Sequence, residues 1–196
     1  MRSWIRRLRP IRENSIATEW NRQYSTGRWD FLADLEEMAR YWIVAGYCAN
    51  RFERPAVLDI GCGVGLLEEK LRSVPYSVYT GVDISTDALK EGRARMPKSC
   101  RLVCADFLNF FVTDRYDAIV FMGVFLPGMP ASEILKRYCD FLRPGGRIIL
   151  CEFDGRDRKT AIPMWNEVKK SFQLEDAIRV ENLPSEKSWT IGLLAP

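Results

Sequence analysis

Histidine is absent from all 196 residues, so the chain lacks the side chain that most often serves as general base or metal ligand near neutral pH. Any proton transfer must use a carboxylate, Tyr, Lys, Cys or water. The six cysteines, at 48, 62, 100, 104, 139 and 151, form no C-x-x-C pair and no zinc spacing. Cys62, Cys104 and Cys151 lie in apolar strand or turn sequences, where a thiol is expected to behave as a small hydrophobe. No run of about 20 apolar residues is present, nor an apolar leader, an internal repeat or a low-complexity tract. The net charge of +3 is too small by itself to indicate a nucleic-acid partner. Together these absences give the expectation of a cytoplasmic protein of a reducing compartment that holds no metal.

A composition of 47% hydrophobic and 28% charged residues fits one globular domain with a substantial core. The stretch from Ala56 to Gly65, A-V-L-D-I-G-C-G-V-G, is the most informative. An apolar, β-branched run delivers the acid Asp59, and glycines then fall at alternate positions, Gly61, Gly63 and Gly65. Glycine removes Cβ atoms where a chain takes positive φ or lies against a ligand, and a helix opening at Leu66 would aim free N–H groups at that ligand. A dinucleotide fingerprint, G-x-G-x-x-G, needs its third glycine one residue later, where this chain has Leu66.

Three more strand patterns end in an acid or at a corresponding position. Val78 to Ser85 finishes on Asp83 and meets a helix start with Ser85 or Thr86 as N-cap. Asp83 follows the glycine turn by about 20 residues, the spacing for a carboxylate that accepts ribose hydroxyls; capping of the following helix is the alternative role. Cys100 to Phe107 closes on Asp106 and Phe107, and Tyr116 to Phe125 carries a buried strand ending at Phe121 and Met122. Leu142 to Glu152 reads as a turn, with Pro144 and Gly145 ending a helix from about Ala131, and then a fifth strand from Gly146.

Helical segments at 66–71, 86–95, 132–141 and 162–172 alternate with these strands, and 173–182 and 188–194 read as two further strands joined by L-P-S-E. The expected fold is α/β: a Rossmann-like, seven-stranded, mostly parallel sheet with an antiparallel C-terminal hairpin and helices on both faces. Ligands of such sheets lie outside the carboxyl ends of the strands, where Asp59, Asp83, Asp106, Met122 and Glu152 would converge.

This order of motifs resembles the class I S-adenosylmethionine-dependent methyltransferases, of the small-molecule, single-domain type, over roughly Trp20 to the C-terminus. The resemblance implies S-adenosylmethionine as cofactor, S-adenosylhomocysteine as product and no metal. It implies cofactor contacts from Asp59, Gly61, Cys62, Gly63 and Gly65, from Asp83 and Ile84 at ribose and adenine, from Asp106 and Phe107 at the base, and from Phe121 and Met122 at the methionine end. The N/D-P-P-Y/F motif of amino-group methyltransferases acting on nucleic acid is replaced by M-G-V-F, so that subclass is disfavoured. W-x3-Y-x2-G-x-W, formed by Trp20, Tyr24, Gly27 and Trp29, resembles a lid that folds over the cofactor in many small-molecule members and keeps water from the sulfonium.

The resulting expectations are a methyl transfer to an O or N atom of a small-molecule acceptor, with substrate or lid contacts from Tyr24, Trp29, Phe125 and Leu126. No residue stands out as catalytic; for a hydroxyl acceptor the candidates are Glu152, Asp154 and Tyr24. The domain reading is a basic arm at 1–19 and one methyltransferase domain at 20–196, divided into a lid and helix (20–52) and a cofactor-binding core (53–196). A helix from Asp30 to about Ala49 would pack through Leu32, Leu35, Met38, Tyr41, Trp42 and Ala45. Residues 1–12 hold five arginines among Trp4, Ile5, Leu8 and Ile11, with Pro10 as a helix breaker. They suit weak contact with a membrane surface or an acidic protein, or equally a solvated terminus. Alternatives are an RNA methyltransferase that uses this arm and a non-catalytic, cofactor-binding partner subunit. The oligomeric state is not legible.

Overall fold

The computed structural model describes residues 13–155 and 161–196. Among them the order is α1 (Glu13–Ser25), a 3-10 turn (Asp30–Ala33), α2 (Leu35–Arg51), β1 (Ala56–Ile60), α3 (Leu66–Leu71), β2 (Val78–Asp83), α4 (Thr86–Arg95) and β3 (Arg101–Cys104). There follow β4 (Tyr116–Met122), α5 (Ala131–Cys139), β5 (Leu142–Phe153), α6 (Ile162–Val168), β6 (Gln173–Asn182) and β7 (Lys187–Ala195). These strands form one seven-stranded sheet in the order β3-β2-β1-β4-β5-β7-β6. The first five run parallel, and β7 lies antiparallel between β5 and β6.

Strand alternation divides the core between the two faces of the sheet. Leu58, Ile60, Ile119, Phe121, Ile148 and Leu150 pack on one side with Leu135 and Trp165 of α5 and α6. Val57, Val120, Ile149 and Cys151 pack on the other with Tyr41, Val44 and Leu67 of α2 and α3. Both faces are therefore covered, as the apolar, β-branched strands require.

Strand order reverses between β1 and its neighbours β2 and β4. That switch point opens a crevice at the carboxyl ends of the strands.

Several expected boundaries move for identifiable reasons. Asp34 is extended (φ −71°, ψ 156°), which separates the 3-10 turn from α2, so no single helix starts at Asp30. On α2 the buried face is Tyr41, Val44, Ala45 and Cys48, an i, i+3, i+4, i+7 stripe. Leu35 and Trp42 are correspondingly 88% and 50% exposed rather than packed, while Leu32 and Met38 lie at the margin of the core. Trp42 instead receives the Lys70 ammonium 5.8 Å from its ring centroid.

Helix α5 ends at Cys139, earlier than expected. Leu142–Gly146 lies within β5, where the pairing with β4 shifts between Tyr116 and Ala118. The backbone N–H of Tyr116 donates to Phe141 O at 2.9 Å, so the turn is already complete before Pro144. Helix α6 ends at Val168, not near Phe172, and β3 ends at Cys104. Cys62 and Cys151 are buried, whereas Cys104 is exposed, because β3 is the edge strand.

α1 crosses the expected arm boundary at residue 20, and the arm residues 1–12 lie outside the described residues. Among those described, no helix is long and apolar enough to cross a membrane.

Candidate cofactor and acceptor site

A cavity of about 1280 Å³ occupies the switch-point crevice, roofed by α1 and the 3-10 turn and continued by the loops after β4 and β5. Its floor is the bend from β1 into α3. Gly61, Gly63 and Gly65 all take positive φ, at 70°, 52° and 87°, a region that L side chains rarely enter. Gly61 N–H and Cys62 N–H both donate to Val82 O, at 2.8 and 3.1 Å, which ties the bend to the neighbouring strand.

Asp83 anchors the same bend from below. Its Oδ2 accepts from Gly63 N–H at 2.8 Å and its Oδ1 from Ser85 N–H at 2.8 Å. Each carboxylate oxygen keeps a further acceptor direction, and Asp83 lines the cavity. Burial raises its pKa, opposed by these backbone donors. The alternative capping role falls to Ser85, whose hydroxyl accepts from Ala88 N–H at 3.1 Å as the N-cap of α4.

The other expected contacts divide. Asp59, Gly61, Cys62, Gly63, Asp83, Ile84, Asp106, Phe107 and Met122 all border the cavity, as do Tyr24, Trp29, Phe125 and Leu126. Two expected contacts, Gly65 and Phe121, lie elsewhere. A Cβ on Gly65 would stand 2.0 Å from Met96 Cε, so this glycine admits the end of α4 against α3. The Phe121 side chain is fully buried in the core, 5.5 Å from Phe125 and 5.0 Å from Tyr138 between ring centroids. Strand alternation turns it away from the crevice and leaves Met122 facing it.

Asp59 is 2% exposed and accepts from the Tyr79 hydroxyl at 2.6 Å. Burial pushes its pKa up to about 7, against that hydrogen bond and with the Asp83 charge adding to the rise. Asp106 accepts from Leu108 N–H at 2.9 Å, which fixes the loop after β3. Phe107 O is engaged by Arg137 and by the Tyr138 hydroxyl, at 2.7 and 2.8 Å.

The three acid–base candidates also separate. Glu152 is buried at the end of β5 and borders the cavity, with Val124 N–H and Phe125 N–H at 3.3 and 3.4 Å from its Oε1. Burial pushes its pKa up to about 8. Asp154 lies on the β7 side, where it accepts from the Thr190 hydroxyl at 2.8 Å and pairs with Arg179 at 3.3 Å; it does not border the cavity. Tyr24 borders it, and burial followed by the Asp83 charge raises its pKa, which keeps the phenol protonated near neutrality.

Sequence reasoning missed Glu37, Arg40, Lys187 and Trp189, which also border the cavity. Arg40 Nε lies 2.9 Å from Glu37 Oε2, and its guanidinium sits over the rings of Tyr41 and Trp189 at 4.7 and 5.9 Å. Lys187 pairs with Glu36 and lies 5.3 Å from the Phe31 ring centroid. The available signal was the Glu37/Arg40 pair at i, i+3 on the buried face of α2.

A doubly wound sheet whose switch point presents a glycine-rich bend and an acid at the end of the next strand defines a nucleoside-binding protein of the Rossmann-like type. Residues 57–146 match the methyltransferase domain family. The chain is 24% identical over 128 residues to the malonyl-[acyl-carrier protein] O-methyltransferase of Priestia megaterium, covering 64% of this chain and 47% of that protein. It is 30% identical over 142 residues to an uncharacterized methyltransferase of Bacillus cereus, covering 71% and 66% respectively. The aligned stretches thus span about half to two thirds of these relatives' lengths. In fold it resembles the 1,6-didemethyltoxoflavin-N1-methyltransferase of Burkholderia thailandensis, solved with 1,6-didemethyltoxoflavin and S-adenosylhomocysteine, with TM-score 0.72, 19% identity and coverage of 91% of this chain and 86% of that one. The chain belongs to the class I S-adenosylmethionine-dependent methyltransferase family.

Proposed function

We propose that this protein transfers a methyl group from S-adenosylmethionine to an O or N atom of a small-molecule acceptor, releasing S-adenosylhomocysteine. One observation carries the reading: the positive-φ glycine bend and the Asp83 carboxylate are joined by the Gly63 N–H bond at 2.8 Å and face one cavity. That combination fits an adenosyl group whose ribose needs a carboxylate and whose amino-acid end needs approachable backbone. The names of similar proteins support the acceptor class, since one is a malonyl-[acyl-carrier protein] O-methyltransferase and another was solved with 1,6-didemethyltoxoflavin bound.

Asp83 would hold the ribose hydroxyls, Ile84, Asp106 and Phe107 the adenine, and Asp59, Cys62, the glycine bend and Met122 the methionine end. Bound there, S-adenosylmethionine supplies an electrophilic methyl on a sulfonium. The protein's task is alignment and exclusion of water. Trp20 and Trp29, stacked at 5.5 Å, and Tyr24 close the roof over that end. Glu152 is the residue placed to take a proton from an O–H or N–H acceptor, because it is the acid candidate both buried and facing the cavity. Phe125, Leu126, Met129 and Met164 give the acceptor end an apolar wall, suited to an acceptor with an aromatic or lipidic part.

Residues 20–196 act in this reading as one methyltransferase domain, with 20–52 as lid and first helix, in a cytoplasmic setting consistent with six unpaired cysteines. The RNA alternative drew on residues 1–12, and nothing in the described residues favours it. Calorimetry with S-adenosylmethionine, S-adenosylhomocysteine and NAD tests the cofactor, with binding of the first two and none of NAD expected. Detection of S-adenosylhomocysteine release across a panel of phenols, carboxylic acids and heteroaromatic amines then tests the acceptor class. Failure to bind either adenosyl compound overturns the proposal.

A further inference from the structure

We propose that Asn21 is a positioning residue that latches α1 over the cofactor cleft and holds Asp83 in its ribose-accepting orientation; this rests on the cofactor assignment above. Asn21 lies on α1, yet its side-chain oxygen faces the first turn of α4, 64 to 66 residues away in sequence. Three donors converge on Oδ1: the Ser85 hydroxyl at 2.8 Å, the Thr86 hydroxyl at 3.3 Å and Asp87 N–H at 3.3 Å. Because a backbone N–H can only donate, the atom opposite Asp87 must be the amide oxygen. Asn21 therefore acts as a second cap on α4, supplied by the roof helix rather than by α4 itself.

Ser85 transmits the contact. Its hydroxyl donates to Asn21, its oxygen accepts from Ala88 N–H, and its own N–H donates to Asp83 Oδ1 at 2.8 Å. The other carboxylate oxygen of Asp83 takes Gly63 N–H. One turn along α1 from Asn21, the Tyr24 hydroxyl lies 2.7 Å from where a Cβ of Gly63 would stand. Two residues at i, i+3 on α1 thus meet the two ends of one network that has Asp83 at its centre. When α1 is docked, the carboxylate is gripped from both sides. When α1 lifts, Ser85 loses its acceptor and Gly63 its cover together.

Trp29, at the start of the 3-10 turn, is held to α1 by a 3.1 Å bond from Nε1 to Gln23 Oε1 and by its stack on Trp20, which ties that turn to the roof helix. Gly27, with φ 71°, lies in the connection and supplies the bend.

The test compares wild type with N21A and N21D. Displacement of radiolabelled S-adenosylhomocysteine gives the dissociation rate, and hydrogen exchange in the ligand-free proteins gives docking of α1. N21A removes the acceptor and should speed dissociation about tenfold, with faster exchange in α1, the scale expected for losing one hydrogen-bonded contact. N21D keeps an acceptor oxygen at the start of α4 and should stay within about threefold of wild type. The same fold-change is expected with 5′-methylthioadenosine, which retains the ribose but lacks the amino-acid end. Equal dissociation from wild type and N21A overturns the latch, as does equal impairment of N21A and N21D. A change confined to S-adenosylhomocysteine overturns the coupling through Asp83. If wild type binds neither compound, the cofactor assignment itself fails.

Discussion

Tyr79 on β2 donates its hydroxyl to Asp59 Oδ2 on β1 at 2.6 Å, diagonally across two parallel strands and beneath the glycine bend. The pair is fully enclosed, and burial holds the Asp59 carboxyl near pKa 7 despite that donor.

The first prediction is a pH-dependent stability. An acid whose folded pKa exceeds its unfolded value, about 3.9, keeps a proton in the native state that the unfolded chain releases. Its favourable contribution is complete below pH 4 and is lost as pH rises to about 7. Glu152, raised to about 8 by burial, acts in the same direction slightly higher. Urea unfolding of the ligand-free protein should therefore show a loss on the order of 1–3 kcal/mol between pH 5 and pH 8. Tyr79→Phe removes the donor and should steepen that loss, and Asp59→Asn should flatten it. A stability that rises over this interval in the wild type contradicts the argument.

The glycines of the bend provide the second prediction, because they do different jobs. Gly63 faces the cavity beneath the Tyr24 hydroxyl, whereas Gly65 lies against Met96 between α3 and α4. Gly63→Ala should weaken S-adenosylhomocysteine binding at least tenfold, because its Cβ enters the bend itself. Gly65→Ala should cost about 1–3 kcal/mol of stability from positive φ and the Met96 contact. Its affinity, measured at a temperature where the variant stays folded, should fall by less than about threefold. Calorimetry and thermal melts on the two variants separate these outcomes.

Much of this was legible before the fold. Asp59, the alternating glycines and Asp83 each end a strand with a strong apolar pattern, and the sheet then brings those ends together. Gly65 and the Phe121 side chain do not border the cavity, because a motif gives position along the chain but not the face. Phe121 sits one residue from Met122, and a period of two sends them to opposite sides. Asp154 stands outside the cavity for a similar reason: β5 delivers Glu152 to it and carries the chain past it. Lys187 and Asn21 left no motif, since their partners are 64 or more residues away, and Arg40 left only its i, i+3 spacing from Glu37.

Glu152 gives a third prediction. Its carboxyl must be ionised to take a proton, so transfer to a protic acceptor should rise with pH through about 8 and level off above it. Glu152→Gln should abolish that limb and lower kcat by roughly 10²-fold, while S-adenosylhomocysteine affinity stays within about threefold. The rate of S-adenosylhomocysteine formation against pH measures this. An unchanged profile in the variant assigns the proton to solvent instead.

The neighbouring residues Phe121 and Met122 supply the last prediction, since they test the face assignment directly. Phe121 fills the core between Phe125 and Tyr138 and has no exposed surface. Phe121→Ala leaves a cavity that those rings cannot fill, at a cost of about 3–5 kcal/mol. Met122 lies at the end of β4, half-buried and bordering the crevice, so Met122→Ala removes contact area from the ligand rather than from the fold. It should lower S-adenosylhomocysteine affinity several-fold and cost less than about 1.5 kcal/mol of stability. Urea midpoints and calorimetric dissociation constants for the two variants provide the comparison. A Phe121→Ala protein as stable as wild type, or a Met122→Ala protein of equal affinity and much lower stability, would reverse the placement of the two side chains.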